Sequence, residues 1–213
     1  MKTDALITLL ADGVAPVPRH AAQKRLGISL LVGLPLSLAL MQGLLGARHD
    51  LMQAALQPML WIKFLFPVLV ALAGFALVQR LARPGVRPGA AWVALALPFV
   101  VVWSLGLWQW FAAPESDRSA LLWGLTWRTC PFGIAAIAAP VFVASMLALK
   151  DLAPTRLTLA GAAAGAMSGG AGAAVYALHC PEHGAPFLAV WYVLGIVLMA
   201  LVGAALGPRL LRW

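Results

Sequence analysis

The stretch Ala90–Phe111, AAWVALALPFVVVWSLGLWQWF, contains no charged residue over its whole length. A run of about 20 apolar residues is what an α-helix needs to cross the hydrocarbon core of a bilayer. Similar runs precede and follow this stretch, so the sequence predicts an all-α, polytopic integral membrane protein with a bundle of six transmembrane helices. The predicted spans are Leu26–Leu45, Met59–Val78, Ala90–Phe111, Cys130–Leu149, Leu157–Leu178 and Phe187–Leu206.

The composition supports this interpretation of the apolar runs. Of the 213 residues, 62% are hydrophobic and only 10% are charged, whereas a soluble domain carries roughly 25% charged residues. The spans leave short loops and no room for a second soluble domain. We therefore predict a cytosolic N-terminal segment (1–25), a transmembrane domain (26–208) and a cytosolic tail (209–213).

The net charge of +8 is explained by topology. Of the 15 Lys and Arg residues, 11 fall on the side of the predicted termini, and only Arg48, Lys63, Arg118 and Arg128 fall on the other. The positive-inside rule then puts both termini in the cytoplasm, as expected of a protein of the inner membrane. No direct binding of nucleic acid is expected. Lys63 lies near the outer end of the second span, where snorkelling of its ammonium group into the interface explains it.

Both cysteines fall on the predicted outer side, close to most of the histidines. Cys130 begins the fourth span, and Cys180 lies in the last outer loop. Such cysteines can form a disulfide in an oxidising compartment or, with imidazole and carboxylate nearby, bind a soft or borderline metal ion. A permanent disulfide or a pair of unreactive packed thiols is the purely structural alternative. The candidate sensing residues are Cys130, Cys180, His179, His183, Glu182 and His49.

The sequence shows no motif of an enzyme. It lacks Cys-x-x-Cys, His-Glu-x-x-His and a nucleotide-binding loop. The alternative functions are those of a small membrane transporter and of a quinone-linked thiol oxidoreductase. A transporter needs a polar path with ionisable residues inside the spans, and none is evident. A membrane thiol oxidoreductase generally needs two redox pairs, and this chain has one pair of distant cysteines.

The N-terminal segment contains a short apolar helix on the predicted cytosolic side. The helix is expected over Ala5–Ala11, capped by Thr3 or Asp4, with an extended stretch at Pro16 and Pro18 after it. It displays Leu6, Ile7, Leu9 and Leu10. Such a helix can lie on the membrane surface or dock into a hydrophobic groove of a cytosolic partner.

Two further segments carry structural predictions. Gly161, Gly165 and Gly169 are spaced four residues apart in the fifth span, and small residues at this spacing let helices approach closely. Packing within the chain is the first interpretation, and a homodimer contact is the alternative. The segment Asp117–Thr129 is too short to cross the membrane and is predicted to form an interfacial helix on the outer surface.

Three motifs together resemble those of the NrsF-type membrane anti-sigma factors, and the resemblance covers essentially the whole chain. The motifs are Thr3-Asp4-x-Leu6-Ile7-x-Leu9-Leu10-Ala11-Asp12, Trp127-x-x-Cys130-Pro131 and His179-Cys180-Pro181-Glu182.

This resemblance implies a regulator that holds an extracytoplasmic-function sigma factor at the membrane through the N-terminal segment. Leu6, Ile7, Leu9 and Leu10 would dock, while Asp4 and Asp12 would contact basic groups on the sigma factor. The resemblance also implies that Cys130 and Cys180 help to sense heavy metals or oxidants and so trigger release. No cofactor is obligatory in this interpretation, and a heavy-metal ion would bind at the two cysteines only as a regulatory ligand.

Overall fold

A computed structural model describes residues 3–12 and 20–212, and these residues form an all-α protein. The predicted extended stretch at Pro16 and Pro18 therefore lies outside the described residues. The helices are α1 (Thr3–Ala11), α2 (Ala21–Leu44), α3 (Leu51–Ala54), α4 (Pro58–Leu81), α5 (Ala91–Ala112), α6 (Glu115–Trp123), α7 (Cys130–Lys150), α8 (Leu157–Tyr176) and α9 (Ala185–Leu210).

Five of these helices are long and apolar enough to cross a membrane, namely α2, α4, α5, α7 and α9. The protein is therefore a polytopic membrane protein. The remaining long helix, α8, occupies the fifth predicted span but is built mostly of alanine and glycine. These small side chains contribute less hydropathy than Leu, Ile, Val or Phe, so α8 is less apolar than its neighbours although it is 20 residues long.

The small residues of α8 explain its place at the centre of the bundle. Helix α8 packs against α9, α4 and α7, and almost every residue from Ala160 to Tyr176 is buried. A Cβ at Gly161 would overlap the carbonyl oxygen of Gly203, and one at Gly165 would overlap that of Met199. Gly169 packs in the same way against Ile196. The glycine stripe is thus covered by α9 within the chain, and a homodimer contact stays a prediction.

Helix α2 packs against α7 along a second row of small residues. Ser29, Gly33 and Ser37 are spaced four residues apart and are buried. A Cβ at Gly33 would lie 2.7 Å from the Cα of Val141, and the Ser37 hydroxyl donates a hydrogen bond of 2.7 Å to the carbonyl of Ile137. Hydroxyls that hydrogen-bond to a neighbouring helix stabilise contacts inside the bilayer, where water cannot compete.

The connection between α5 and α7 contains a shorter helix than predicted. Helix α6 covers Glu115–Trp123, whereas the expected interfacial helix ran from Asp117 to Thr129. It begins earlier because Pro114 precedes it and Glu115 and Asp117 lie in its first turn, where carboxylates favour a helix N-terminus. It ends at Gly124, whose φ of 51° lies in the left-handed region that favours glycine.

Candidate sensory and docking sites

The two cysteines belong to one buried cluster between α7, the loop joining α8 to α9, and the beginning of α9. Both are free thiols with 0% exposure. Tyr176 and Tyr192 are buried in the same cluster. Tyr192 belongs to a five-residue π-helical turn, Leu188–Tyr192, near the start of α9, and its buried hydroxyl has no hydrogen-bond partner among the described residues. The structure thus buries both predicted thiols in one cluster and shields them from solvent.

Lys63 lies directly beneath the loop that carries Cys180, which we call the outer loop (residues 178–184) after its predicted side of the membrane. Its side chain is fully buried, so the prediction that it snorkels to the interface is wrong. The ammonium donates hydrogen bonds to the carbonyls of Cys180, at 2.5 Å, and Glu182, at 2.8 Å. It also lies 5.7 Å from the centre of the Tyr192 ring. Protein carbonyls and a ring face therefore replace the water that snorkelling would supply.

The carboxylate of Glu182 joins the outer loop to the segment that precedes Cys130. It accepts hydrogen bonds from the backbone N–H groups of Leu125, at 2.7 Å, and Thr126, at 3.0 Å. The Thr126 hydroxyl donates a third, at 3.1 Å, and lies 4.0 Å from the Cys180 sulfur. All three bonds go to Oε1, so the Glu182 carboxylate acts as a structural tie between the two segments.

Arg48 holds the outer loop from its other side. Its guanidinium pairs with both oxygens of Asp50, at 2.7 and 2.6 Å, and this bond lowers the pKa of Asp50 to about 2. It also lies 3.2 Å from Nε2 of His183. Burial, followed by the positive charges of Arg48 and Lys63, lowers the pKa of His183 below its ordinary value. The Arg48 cation therefore favours a neutral His183 that accepts its hydrogen bond.

The two remaining histidines that were predicted as metal ligands, His179 and His49, lie in other environments. Nδ1 of His179 lies 2.8 Å from the carbonyl oxygen of Gly46, and His49 is exposed. Within the described part of the chain, no group of three or more His, Cys, Asp or Glu residues is arranged to hold a metal ion. Binding of a heavy-metal ion stays a prediction, with the two thiols as its candidate donors.

A cluster of three indole rings fastens α6 and its following turn to α9. The centre of the Trp127 ring lies 4.8 Å from that of Trp123 and 5.2 Å from that of Trp191. The Trp191 N–H donates to the carbonyl of Leu122, at 2.8 Å. Tryptophan satisfies its single donor and buries a large ring in this way, so the segment leading to Cys130 is held by aromatic packing as well as by Glu182.

Sequence reasoning missed the roles of Lys63 and Arg48. The signal for Lys63 was available, because an ionisable residue inside a span is a functional candidate by default. Arg48 gave no such signal, since an arginine in a short outer loop is ordinary. Its position against His183 depends on contacts between residues 135 positions apart.

On the opposite side of the sequence-predicted topology, α1 presents an apolar surface. No residue of the helix is buried, and its large side chains Leu6, Ile7, Leu9 and Leu10 are all exposed. Thr8 donates a hydrogen bond of 2.9 Å to the carbonyl of Asp4, which stabilises the helix locally. Asp4 in its first turn also favours the helix N-terminus. The predicted docking residues thus share one short helix, with Asp4 and Asp12 near its two ends.

These features define a multi-pass membrane protein with an exposed apolar helix near its N-terminus and a buried thiol pair in its bundle. Residues 10–213 match the family described as negative regulator of sigma F, NrsF. The chain is 44% identical over 213 residues to the probable anti-sigma-F factor NrsF of Azospira oryzae, and 40% identical over 214 residues to the anti-sigma-F factor NrsF of Caulobacter vibrioides. Each alignment covers 100% of both chains. No solved structure matches.

The chain therefore belongs to the NrsF family, and it is a regulator rather than an enzyme. This confirms the resemblance drawn from the sequence motifs.

Proposed function

We propose that this protein is an anti-sigma factor of the bacterial inner membrane. It binds an extracytoplasmic-function sigma factor through its cytosolic segment, residues 1–25, and releases it when Cys130 and Cys180 react with a metal ion or an oxidant. The observation that carries the docking part is the exposed apolar surface of α1 in a member of a family of negative regulators of sigma F. Burial of exposed apolar side chains by a partner lowers the free energy of the complex.

The charges on α1 favour a protein partner over the membrane surface. The described segment Thr3–Asp12 contains Asp4 and Asp12 but no lysine or arginine. Helices that lie on a membrane are typically rich in basic residues, because the cytoplasmic leaflet is anionic. Two carboxylates beside an apolar surface instead fit a hydrophobic groove with a basic rim. This is the mode in which an amphipathic helix inserts its apolar residues into a partner.

The topology of the proposal has six spans and both termini in the cytoplasm. Helix α8 is the fifth span in this topology, and it joins the five helices named above to give six. Its 20 residues correspond to about 30 Å of helix, which matches the hydrocarbon thickness. It packs between three of the helices that are long and apolar enough to cross the membrane. An even number of spans agrees with the excess of Lys and Arg on the side of the termini.

The proposed signal passes from α7 to α2. Cys130 is the first residue of α7, and α7 packs along the row of small residues in α2 that includes Gly33. At the other end of the pair, Arg25 forms an ion pair of 2.7 Å with Asp151. The docking segment is joined directly to the start of α2. A change in the tilt of α7 would therefore move the start of α2 and change the position of α1. A release switch needs only a few kcal/mol of differential affinity.

Binding and release can be measured with the full-length protein in lipid nanodiscs. The extracytoplasmic-function sigma factors of the host organism are tested one at a time for binding, with and without cadmium ions or peroxide. We expect one of them to bind and to dissociate on treatment, with dissociation reduced by Cys130→Ser or Cys180→Ser. Failure of every sigma factor to bind would reject the proposal, and normal release from both variants would reject its sensing part. Metal uptake or quinone reduction by the same nanodiscs would favour the alternative functions.

A further inference from the structure

Lys63 is a buried cation in α4 whose ammonium donates hydrogen bonds to two backbone carbonyls and lies 5.7 Å from the centre of the Tyr192 ring. Among residues 3–12 and 20–212, none of the ion pairs involves its ammonium. A charged side chain inside a membrane protein costs several kcal/mol unless it is compensated, and a carboxylate would compensate it best. The acceptors here are instead two carbonyls of the outer loop, those of Cys180 and Glu182. These two hydrogen bonds hold the main chain of the outer loop in place.

The bonds from Lys63 fix the outer loop from inside the bundle. Arg48 also approaches the carbonyl of Cys180, but at 3.4 Å, compared with 2.5 Å for Lys63. Hydrogen bonds from a charged donor are shorter and roughly twice as strong as neutral ones. Lys63 therefore makes the tighter connection to the residue that carries the second thiol.

The same connection reaches the segment that precedes Cys130. Lys63 holds the backbone of Glu182, and the Glu182 carboxylate holds the N–H groups of Leu125 and Thr126. The carbonyl of Thr126 then accepts a hydrogen bond of 2.9 Å from the N–H of Cys130. A Cβ at Gly124 would overlap the Glu182 carboxylate, so this approach requires glycine. A continuous series of hydrogen bonds thus joins α4 to both thiol-bearing segments.

We propose that Lys63 is the positioning residue that closes the outer loop over Cys130 and Cys180, and so controls how fast reagents reach both thiols. Both side chains are fully buried, so reaction with a metal ion or an oxidant requires local opening of the structure. Removal of a hydrogen bond to a charged group changes such an equilibrium by roughly tenfold or more. The inference deepens the proposed sensing function and rests on it only for the biological meaning of thiol access.

The test measures labelling rates of single thiols in the full-length chain. Cys130→Ser leaves Cys180 as the one cysteine, and Cys180→Ser leaves Cys130. Each is prepared with and without Lys63→Met, which removes the ammonium but keeps an unbranched side chain. In nanodiscs, a small maleimide should label both thiols at least tenfold faster when Lys63 is replaced. Unchanged rates would overturn the proposal.

A matched control removes another outer cation that donates to a carbonyl. Arg118 donates to the carbonyl of Ala113, at 3.2 Å, and does not contact the outer loop through that bond. Arg118→Met should leave both labelling rates within about twofold of the parent rates, since surface contacts contribute little. Equal acceleration by Arg118→Met and Lys63→Met would overturn the specific role of Lys63.

General unfolding is distinguished by a reporter far from the outer loop. Ser145 is fully buried at the contact between α2 and α7. Ser145→Cys in a chain that lacks both native cysteines reports opening of that contact. Acceleration of this reporter by Lys63→Met to the same extent as the native thiols would overturn the proposal. Lys63→Arg, which retains a cation with several donors, should label more slowly than Lys63→Met, and equal rates would show that the charge does not hold the loop.

The labelling assay contains no sigma factor, so its outcome is independent of the proposed function. Faster labelling in Lys63→Met supports the positioning role even if Cys130 and Cys180 prove unnecessary for release. Conversely, a normal labelling rate overturns the positioning role and leaves the anti-sigma function untouched.

Discussion

Replacement of Leu9 and Leu10 by alanine should weaken binding of the sigma factor strongly. The two side chains are 69% and 65% exposed, so most of their surface is available to a partner. Full burial of a leucine contributes about 1.5–3 kcal/mol. Scaled by these exposures, truncation to alanine removes roughly 1–2 kcal/mol at each position. The double variant should therefore raise Kd by roughly 30- to 700-fold.

The assay is equilibrium binding of the purified sigma factor to full-length protein in nanodiscs. Alanine has the highest helix propensity, so the double variant preserves α1 and tests the side chains alone. Thr8→Ala is the matched control, because Thr8 lies on the same helix and its hydroxyl donates a local hydrogen bond to the carbonyl of Asp4. It should change Kd by no more than about threefold. A double variant that binds as tightly as the parent would refute docking through this surface.

Three further outcomes are expected. Cys130→Ser or Cys180→Ser should alter the induction of sigma-dependent transcription by metals or oxidants, measured with a reporter gene, while the amount of protein in the membrane stays unchanged. Gly165→Leu should lower the thermal unfolding temperature in detergent, because its Cβ overlaps the backbone of α9 and overpacking costs typically 1–3 kcal/mol; an unchanged temperature would contradict the packing described. Because the pKa of His183 is lowered in the folded state, its contribution to loop stability is complete above its ordinary pKa of 6.5 and is lost as the pH falls through the folded value. The protection factors of the outer-loop amides, which correct for the slower intrinsic hydrogen exchange at lower pH, should therefore fall more on acidification in the parent than in His183→Gln.

The local properties of the chain were predictable from the sequence. The five spans that the structure supports were identified because a helix must satisfy its backbone hydrogen bonds internally in lipid, which requires about 20 consecutive apolar residues. The apolar helix α1 was predictable for a similar reason, since its propensity and its first-turn acidic residue act within a few positions. Cys130 at the start of α7 also followed from the end of an apolar run.

The contacts between helices were decided only by the tertiary structure. In a soluble helix, the polar side marks which residues face solvent, but a spanning helix is apolar all round and carries no such mark. The sequence therefore could not show that Ser29 and Ser37 face α7, or that α8 lies at the centre. Likewise, Lys63 was expected to reach the interface. No local pattern reveals that the carbonyls of Cys180 and Glu182, 117 and 119 positions later, accept hydrogen bonds from its ammonium. The two cysteines were predicted on one face from local sequence, whereas their burial beneath a loop held by Lys63 and Glu182 arises from long-range packing.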